Sequence, residues 1–171
     1  MSRPYSRCLL MLSRPLCGLL LFAAATTVAG AGEGKIIGWI EQVSVTSDAL
    51  LLEAKIDTGA DYSSVHAEDI RQFTRDGSQW VEFTLLDQSG ERHVLQRPLE
   101  RVARIKKKTS GFQERPVVML EICVGDVQRM AQVNLAERGH FKYPVLLGRS
   151  FLSTGYLVDS SAQHLLPPTC H

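Results

Sequence analysis

The sequence places a carboxylate where an apolar run ends. The strand-like run Leu50–Ile56 leads directly into the loop Asp57-Thr58-Gly59-Ala60. Thr58 can hydrogen-bond within a tight loop, and Gly59 lets the backbone approach the carboxylate and supply an N–H group to it. A loop of this kind can present Asp57 for proton transfer. Aspartate also ends many ordinary strands, so the loop by itself leaves a catalytic and a structural interpretation open.

A second element favours the catalytic interpretation. Gly148 follows two leucines and precedes Arg149, and it lies 91 residues after Asp57. An Asp-Thr-Gly-Ala loop paired with a later apolar-apolar-Gly-Arg element resembles the retropepsin-like aspartic proteinases. In that family the second element packs behind the catalytic loop, and an acid four residues after the catalytic aspartate pairs with the arginine. The resemblance implies catalysis by Asp57, with loop support from Thr58, Gly59, Ala60, Asp61, Gly148 and Arg149.

A closer resemblance covers nearly all of the chain after its N-terminal segment. The motifs that carry it lie at residues 53–60, 63–64, 115–118 and 143–152. They are similar to those of the bacterial retropepsin-like family labelled "ATP-dependent zinc protease", some of whose members are associated with ATP-grasp ligases that add glutamate to proteins. The resemblance implies a mostly-β, closed retropepsin-like barrel with one or two short helices.

The residues themselves do not support the ATP dependence or the zinc dependence that the label states. An ATP site of the P-loop type needs Gly-x-x-x-x-Gly-Lys-Ser/Thr, which the sequence does not contain. A zinc peptidase needs His-Glu-x-x-His or an equivalent cluster. The five histidines stand singly along the chain, at positions 66, 93, 140, 164 and 171. We therefore expect no metal and no cofactor.

One Asp-Thr-Gly loop is half of an aspartic peptidase site. The reaction needs two carboxylates that share a proton, one to take a proton from water and one to donate to the scissile carbonyl or leaving amine. Asp159, followed by two serines, is a poor second copy. The second Asp57 must then come from another copy of the chain, which predicts a symmetric homodimer acting on a peptide or protein. The alternative is a non-catalytic, periplasmic peptide-binding module of the same fold, which holds its ligand by strand addition.

Residues 104–115 are the predicted flap, the hairpin that closes over a bound peptide. Gly111 suits a mobile tip, Phe112 offers an apolar contact, and Lys107, Lys108 and Ser110 lie beside them. Residues 101–115 hold six basic residues and one acid, Glu114. A basic flap favours an anionic substrate such as a Glu-rich peptide. A solvated hairpin, whose charges only maintain solubility, remains the alternative.

The first 31 residues have the pattern of a secretory signal. Three arginines without an acid precede an apolar run of about ten residues and the small residues Ala29-Gly30-Ala31. The run is short for the ~20 residues that span a bilayer, although an uncleaved anchor is the alternative. Cleavage would leave one domain, residues 32–171, periplasmic or secreted and without stable membrane insertion. The formal charge would change from +1 to −2, which argues against a nucleic-acid partner.

The elements that must position these residues are mostly short strands. Alternating or apolar runs separated by turns predict strands at 36–45, 50–56, 79–86, 92–95, 102–107, 116–124, 128–135, 144–147 and 156–158. Residues 79–97 read as a hairpin without an assigned role, and helical turns are expected within 63–73 and at 148–154. Cys123 and Cys170 could pair in an oxidising compartment. Cys123 also fits a small buried hydrophobe, and Cys170 could be free or bridge two chains.

Overall fold

The computed structural model describes residues 34–45, 50–106, 110–137, 139, 141–153 and 155–170. The chain divides into two compact units, Met1–Ala31 and Gly32–His171. The first unit, with the predicted signal, lies outside the described residues. Within the described part, none of the helical structure has the length and apolar character needed to cross a membrane.

The described residues form eleven strands and one short helix. The strands are β1 (Lys35–Val45), β2 (Leu50–Ile56), β3 (Ser63–His66), β4 (Glu68–Arg75), β5 (Ser78–Leu86), β6 (Arg92–Pro98), β7 (Arg101–Lys106), β8 (Phe112–Val124), β9 (Val127–Ala136), β10 (Val145–Leu147) and β11 (Tyr156–Gln163). The helix, α1, is Arg149–Leu152 and lies within the predicted residues 148–154. The mostly-β, retropepsin-like prediction is confirmed.

The helical turn predicted within residues 63–73 is wrong. Ser63, Ser64 and Val65 are buried in β3, which pairs with two strands at once, and β4 pairs with β5. Arg71 of β4 donates to Glu82 of β5 over 2.6 Å, which is a cross-strand pair. The polar residues of β4 resemble a solvated helix in sequence, but its ladder with β5 satisfies the backbone as strand.

Eight strands form one mixed sheet that is nearly ring-shaped. The order is β11-β1-β2-β10-β3-β9-β8-β7, and β1 pairs also with β8, with Ser44 opposite Cys123 and Val45 opposite Ile122. This additional pairing joins distant parts of the sheet and curves it around the core. Closure of this kind reduces the length of exposed strand edge.

A second sheet, β4-β5-β6, covers part of the same core. The predicted hairpin at 79–97 is confirmed as β5 and β6, with β4 added at its other side. Val81, Phe83 and Leu85 alternate along β5 and are completely buried in the cluster that also holds Leu52 and Val118 of the larger sheet. The smaller sheet is therefore part of the hydrophobic core. Burial of each large apolar side chain contributes roughly 1.5–3 kcal/mol to stability.

The C-terminal segment is fixed to the sheet by a buried acid and a disulfide. Glu41 is completely buried and accepts from the N–H groups of Gly38 (2.6 Å), Leu165 (3.1 Å) and Leu166 (3.2 Å). Cys123 and Cys170 form a disulfide within the chain. Two interpretations of the sequence are thereby corrected: Cys123 is not merely a buried hydrophobe, and Cys170 is neither free nor paired with another chain.

We expect Glu41→Ala to lower the free energy of unfolding by about 3 kcal/mol or more. The change removes the carboxylate that accepts from three backbone N–H groups, one in a buried and two in part-buried hydrogen bonds, and a hydrogen bond to a charged group contributes about 1.5–3 kcal/mol. Urea denaturation checks this, with Glu100→Ala, an exposed position, as the matched control. A loss below about 1 kcal/mol would mean that water replaces the carboxylate without cost.

The turn between β5 and β6 is organised by one carboxylate. Asp87 Oδ1 accepts from the N–H (2.8 Å) and hydroxyl (2.6 Å) of Ser89 and from the N–H of Glu91 (2.9 Å). Hydrogen bonding lowers the pKa of Asp87 from 3.8 to about 2, and the bond from the Ser89 hydroxyl has the largest influence. A lowered pKa means that the ionised carboxylate stabilises the fold above pH 3.8. That stabilisation is lost as the pH falls toward 2.

Ser89→Ala should raise the pKa of Asp87 from about 2 toward 3.8, because it removes the strongest of these hydrogen bonds. The titration of the Asp87 carboxyl carbon, followed by NMR, measures the shift directly. The variant should also begin to unfold at a higher pH in an acid titration. An unchanged midpoint near pH 2 would assign the shift to the remaining hydrogen bonds, from the His93 side chain and the backbone N–H groups.

Candidate active site

Backbone hydrogen bonds of the loop at the end of β2 hold the Asp57 carboxylate in place. The N–H of Asp57 donates to the carbonyl of Leu147 over 2.9 Å, so the pairing of β2 with β10 extends to the aspartate itself. The N–H of Ala60 donates to the Asp57 carbonyl over 3.2 Å and closes the turn. The N–H of Gly59 donates to Asp57 Oδ1 over 2.9 Å. Asp57 is partly exposed, as a carboxylate that exchanges protons with water must be.

The Gly148–Arg149 element packs directly behind this loop. Strand β10 lies between β2 and β3, with Leu147 opposite Ile56 on one side and Val145 opposite Val65 on the other. Immediately after β10, the N–H groups of Arg149 and Ser150 donate to the carbonyls of Ala60 and Asp61, each over 2.9 Å. The first turn of α1 therefore supplies hydrogen bonds to the loop that follows Asp57.

Gly148 is needed because the two backbones approach too closely for a side chain. A Cβ at position 148 would lie 2.7 Å from the carbonyl carbon and oxygen of Tyr62 and 3.0 Å from the carbonyl oxygen of Ala60. The N–H of Gly148 also donates to the buried Ser63 hydroxyl over 3.2 Å. The close approach involves main-chain atoms, which cannot rotate away as a side chain can.

The Arg149 side chain joins two parts of the loop. Its Nη1 donates to the Thr58 carbonyl over 2.9 Å, and its Nη2 donates to the Asp61 carboxylate. Both side chains are substantially exposed, Arg149 by 49% and Asp61 by 71%. An exposed ion pair contributes about 0–1 kcal/mol, so its main effect is on the shape of the loop.

Gly148→Ala should disturb the loop from behind. We expect the free energy of unfolding to fall by about 1–3 kcal/mol, as for other overpacking changes, because the Tyr62 or Ala60 backbone must move. Thermal unfolding and amide chemical shifts of residues 57–62 are the measurements. Gly139→Ala, whose Cβ would meet only His66 side-chain atoms at 3.5 Å, is the matched control. Unperturbed shifts in the loop would contradict the close-approach argument.

The predicted flap is a hairpin of β7 and β8 in which Lys106 lies opposite Phe112. Its predicted residues Lys107 and Lys108 fall outside the described residues, and Ser110 is exposed. Gly111 has a φ of +74°, a backbone conformation that glycine adopts without strain. Phe112 is 55% exposed, and the Arg104 guanidinium lies 4.7 Å from its ring centroid. The hairpin thus presents an aromatic ring and a cation near its tip.

Two cavities border the loop, and Tyr62 lines both of them. The first, of about 280 Å³, is lined by Ala60, Asp61, Tyr62, Ser64, Ile105, Arg115, Asn134 and Leu146. The second, of about 430 Å³, is lined by Tyr62, Met119, Arg129, Met130, Ala131, Gln132, Ser150 and Phe151. The Arg101 guanidinium lies 4.7 Å from the Tyr62 ring centroid, a cation–π contact.

Sequence reasoning missed Tyr62 and Asn134. It counted Arg115 as one positive charge of the flap and as the start of the family motif at 115–118, without giving its side chain a role in a cavity. Asn134 had a detectable signal, since it is the one polar residue of the apolar run Val133-Asn134-Leu135-Ala136. The signal was weak because an amide inside a strand more often faces solvent than a cavity.

One group of three potential metal ligands bears on the zinc dependence that the family label states. Ligand atoms of Asp87, Glu91 and His93 lie within 4.8 Å of one another. His93 Nε2 and Asp87 Oδ2 are 3.2 Å apart and bond each other, and Asp87 Oδ1 holds the turn. Three ligands of mostly oxygen type do not match the four nitrogen and sulfur ligands of a structural zinc site. The absence of a metal and of a cofactor stays a prediction.

A nearly ring-shaped mixed sheet, with an Asp-Thr-Gly loop supported by a Gly-Arg element, defines a retropepsin-like protein. Residues 36–169 match the family model described as RimB-like, "retropepsin-like aspartic endopeptidase RimB". The chain belongs to this RimB-like family.

Its relatives include longer proteins of another name. Two are each called "Probable alpha-L-glutamate ligase", one from Shewanella halifaxensis and one from Desulfotalea psychrophila. The first is 33% identical over 118 residues, which is 67% of this chain and 26% of the relative. The second is 29% identical over 133 residues, which is 75% of this chain and 29% of the relative. The chain therefore spans about a quarter of the length of the curated relatives it matches.

A solved structure supports the fold. A Legionella pneumophila protein described as of unknown function has a TM-score of 0.66 and 32% sequence identity to this chain. The similarity covers 77% of this chain and 97% of that one.

Proposed function

We propose that the protein is an aspartic endopeptidase that works as a homodimer. The observation that carries the proposal is the Asp57 loop, in which the Gly59 N–H holds one carboxylate oxygen while Arg149 supports the loop from behind. Such support fixes the direction of the carboxylate before substrate arrives, which is what acid–base catalysis requires.

The chemistry needs a second copy of the chain. With the two Asp57 carboxylates across a two-fold axis, one is ionised and takes a proton from water, while the other donates its proton to the scissile carbonyl oxygen. The hydroxide equivalent adds to the carbonyl carbon. As the C–N bond breaks, the leaving amine accepts the proton that the first carboxylate took from water, and a hydroxyl of the tetrahedral intermediate returns a proton to the second carboxylate. Each chain contributes the same group, so either copy can take either role.

The substrate we infer is an anionic peptide. The flap hairpin carries Arg104, Lys106 and Arg115. Of these, Arg115 lines the cavity that the loop residues Ala60 and Asp61 also line. The longer relatives are named for joining glutamate, and a domain linked to such an activity would encounter glutamate-rich chains. Positive charge near a groove raises the local concentration and association rate of an acidic peptide.

We also infer that the protein acts after export, in the periplasm or outside the cell. The Cys123–Cys170 disulfide supports this, because disulfides persist in oxidising compartments and are rare in the cytosol. The predicted signal at residues 1–31 is consistent with the same route.

Asp57→Asn should abolish cleavage of a diverse peptide mixture, since an amide neither takes nor donates the proton. New termini are read by mass spectrometry between pH 4 and pH 7, beside the wild type and Asp61→Asn. Loss of cleavage in Asp57→Asn, with a folded dimer, is the expected result. If the wild-type dimer binds peptides without Asp57-dependent cuts, the peptide-binding module is the better description.

Mixing the two proteins tests the shared site. Adding an equal amount of Asp57→Asn to a fixed amount of wild type, with subunit exchange, should reduce activity to about half, because half of the wild-type chains enter inactive mixed dimers. A catalytic monomer would keep its full activity, which would contradict the homodimer.

A further inference from the structure

The smaller cavity beside the loop has its floor on one face of the sheet. Leu146 lies opposite Ser64, and Ser64 lies opposite Asn134. Asn134 in turn lies opposite Val117, and Arg115 precedes Val117 by two residues. Since alternate residues of a strand share a face, Arg115 and Asn134 point to the same side of the sheet. Ala60, Asp61 and Tyr62 of the loop form the wall.

Arg115 lines this cavity with hydrogen-bonding capacity to spare. Its Nε and Nη2 both donate to one acceptor, Gln113 Oε1, over 3.1 and 2.8 Å. A guanidinium has five N–H donors, so three remain for a ligand. Among the described residues, no carboxylate lies within ion-pair distance of Arg115. Partial burial lowers the pKa of Arg115 below its usual value, because the charge has lost part of its hydration.

Asn134 supplies the complementary group. It is only 6% exposed, and its Nδ2 donates to the Ser63 carbonyl over 3.0 Å. Its Oδ1 is buried and has no hydrogen-bond donor within the described part of the chain. A buried acceptor left unpaired is costly, so this oxygen would gain a hydrogen bond if the Asn134 side chain turned it toward a ligand N–H group in the cavity.

We propose that Arg115 and Asn134 form a subsite that selects an acidic residue of the substrate beside the Asp57 loop. The side-chain carboxylate accepts from the free donors of Arg115, in the paired geometry that a guanidinium offers. The Asn134 side chain turns its Oδ1 toward the cavity, where the oxygen accepts from the backbone N–H of the same acidic residue. A volume of about 280 Å³, below the roughly 300–1,000 Å³ of pockets for drug-sized ligands, suits one side chain.

This assignment rests on the proposed peptide substrate but does not require cleavage, so binding tests it independently. In the Asp57→Asn background, fluorescence anisotropy measures the Kd of a Glu-rich peptide and of the same peptide with every Glu replaced by Gln. We expect the Glu peptide to bind at least about tenfold more tightly. Arg115→Gln should reduce this preference to about twofold or less.

Two further variants separate recognition from charge and folding. Arg71→Gln removes an equal charge from exposed β4 and should leave the preference unchanged. Arg115→Lys keeps the charge but not the paired donors, so an intermediate preference is expected. Each variant is compared by thermal unfolding, and Arg115→Lys replaces Arg115→Gln if the latter does not fold.

The outcomes distinguish the two proposals. A Glu preference that persists in folded Arg115→Gln, or falls equally in Arg71→Gln, overturns the subsite whether or not the wild type cleaves. A preference lost only with Arg115, together with no Asp57-dependent cleavage, supports the subsite and contradicts the peptidase. An equal affinity for the Glu and Gln peptides in the Asp57→Asn background also overturns the subsite.

Discussion

The close packing of Gly148 against the backbone of residues 60–62 is the constraint on which the site depends. It lets β10 end between β2 and β3 and lets the next residues donate to the carbonyls of the Asp57 loop. A loop that leaves a strand has several accessible conformations, and the hydrogen bonds from Arg149 and Ser150 select one of them. The geometry of the carboxylate is thus decided by an element that comes about ninety residues later.

The rest of the sheet makes that contact possible. The parallel pairing of β10 with β2 requires a long crossover, and the intervening strands build both the closing pair of β1 with β8 and the outer sheet. The buried carboxylate of Glu41 and the disulfide fix the C-terminal segment to β1 and β8. These interactions hold the described C-terminal segment against the sheet, and the candidate site is formed by the loop, the predicted flap and the two cavities.

The two sides of the site differ in their chemistry. The loop supplies a carboxylate, whereas the neighbouring hairpin and sheet supply cations, with Arg101 against Tyr62, Arg104 against Phe112, and Arg115 in the cavity. Cations that lie against aromatic rings are held in place while they remain accessible to anions. These cations support the proposed preference for an acidic ligand, because positive charge attracts such a ligand to the groove.

The sequence by itself determined the parts of this protein that are local or carried by motifs. Alternating apolar residues predicted most strands, and Asp57-Thr58-Gly59 with Gly148-Arg149 predicted the loop and its support. Residues 63–73 were misassigned because their polar residues fit a helix as well as a strand, and only pairing with β5 and β9 distinguishes these states. The disulfide was one of several possibilities, since spacing does not specify the distance between two cysteines. Only the tertiary structure decided that Arg115 and Asn134 face one cavity, because strands β8 and β9 bring them together by register, a long-range property that composition does not encode.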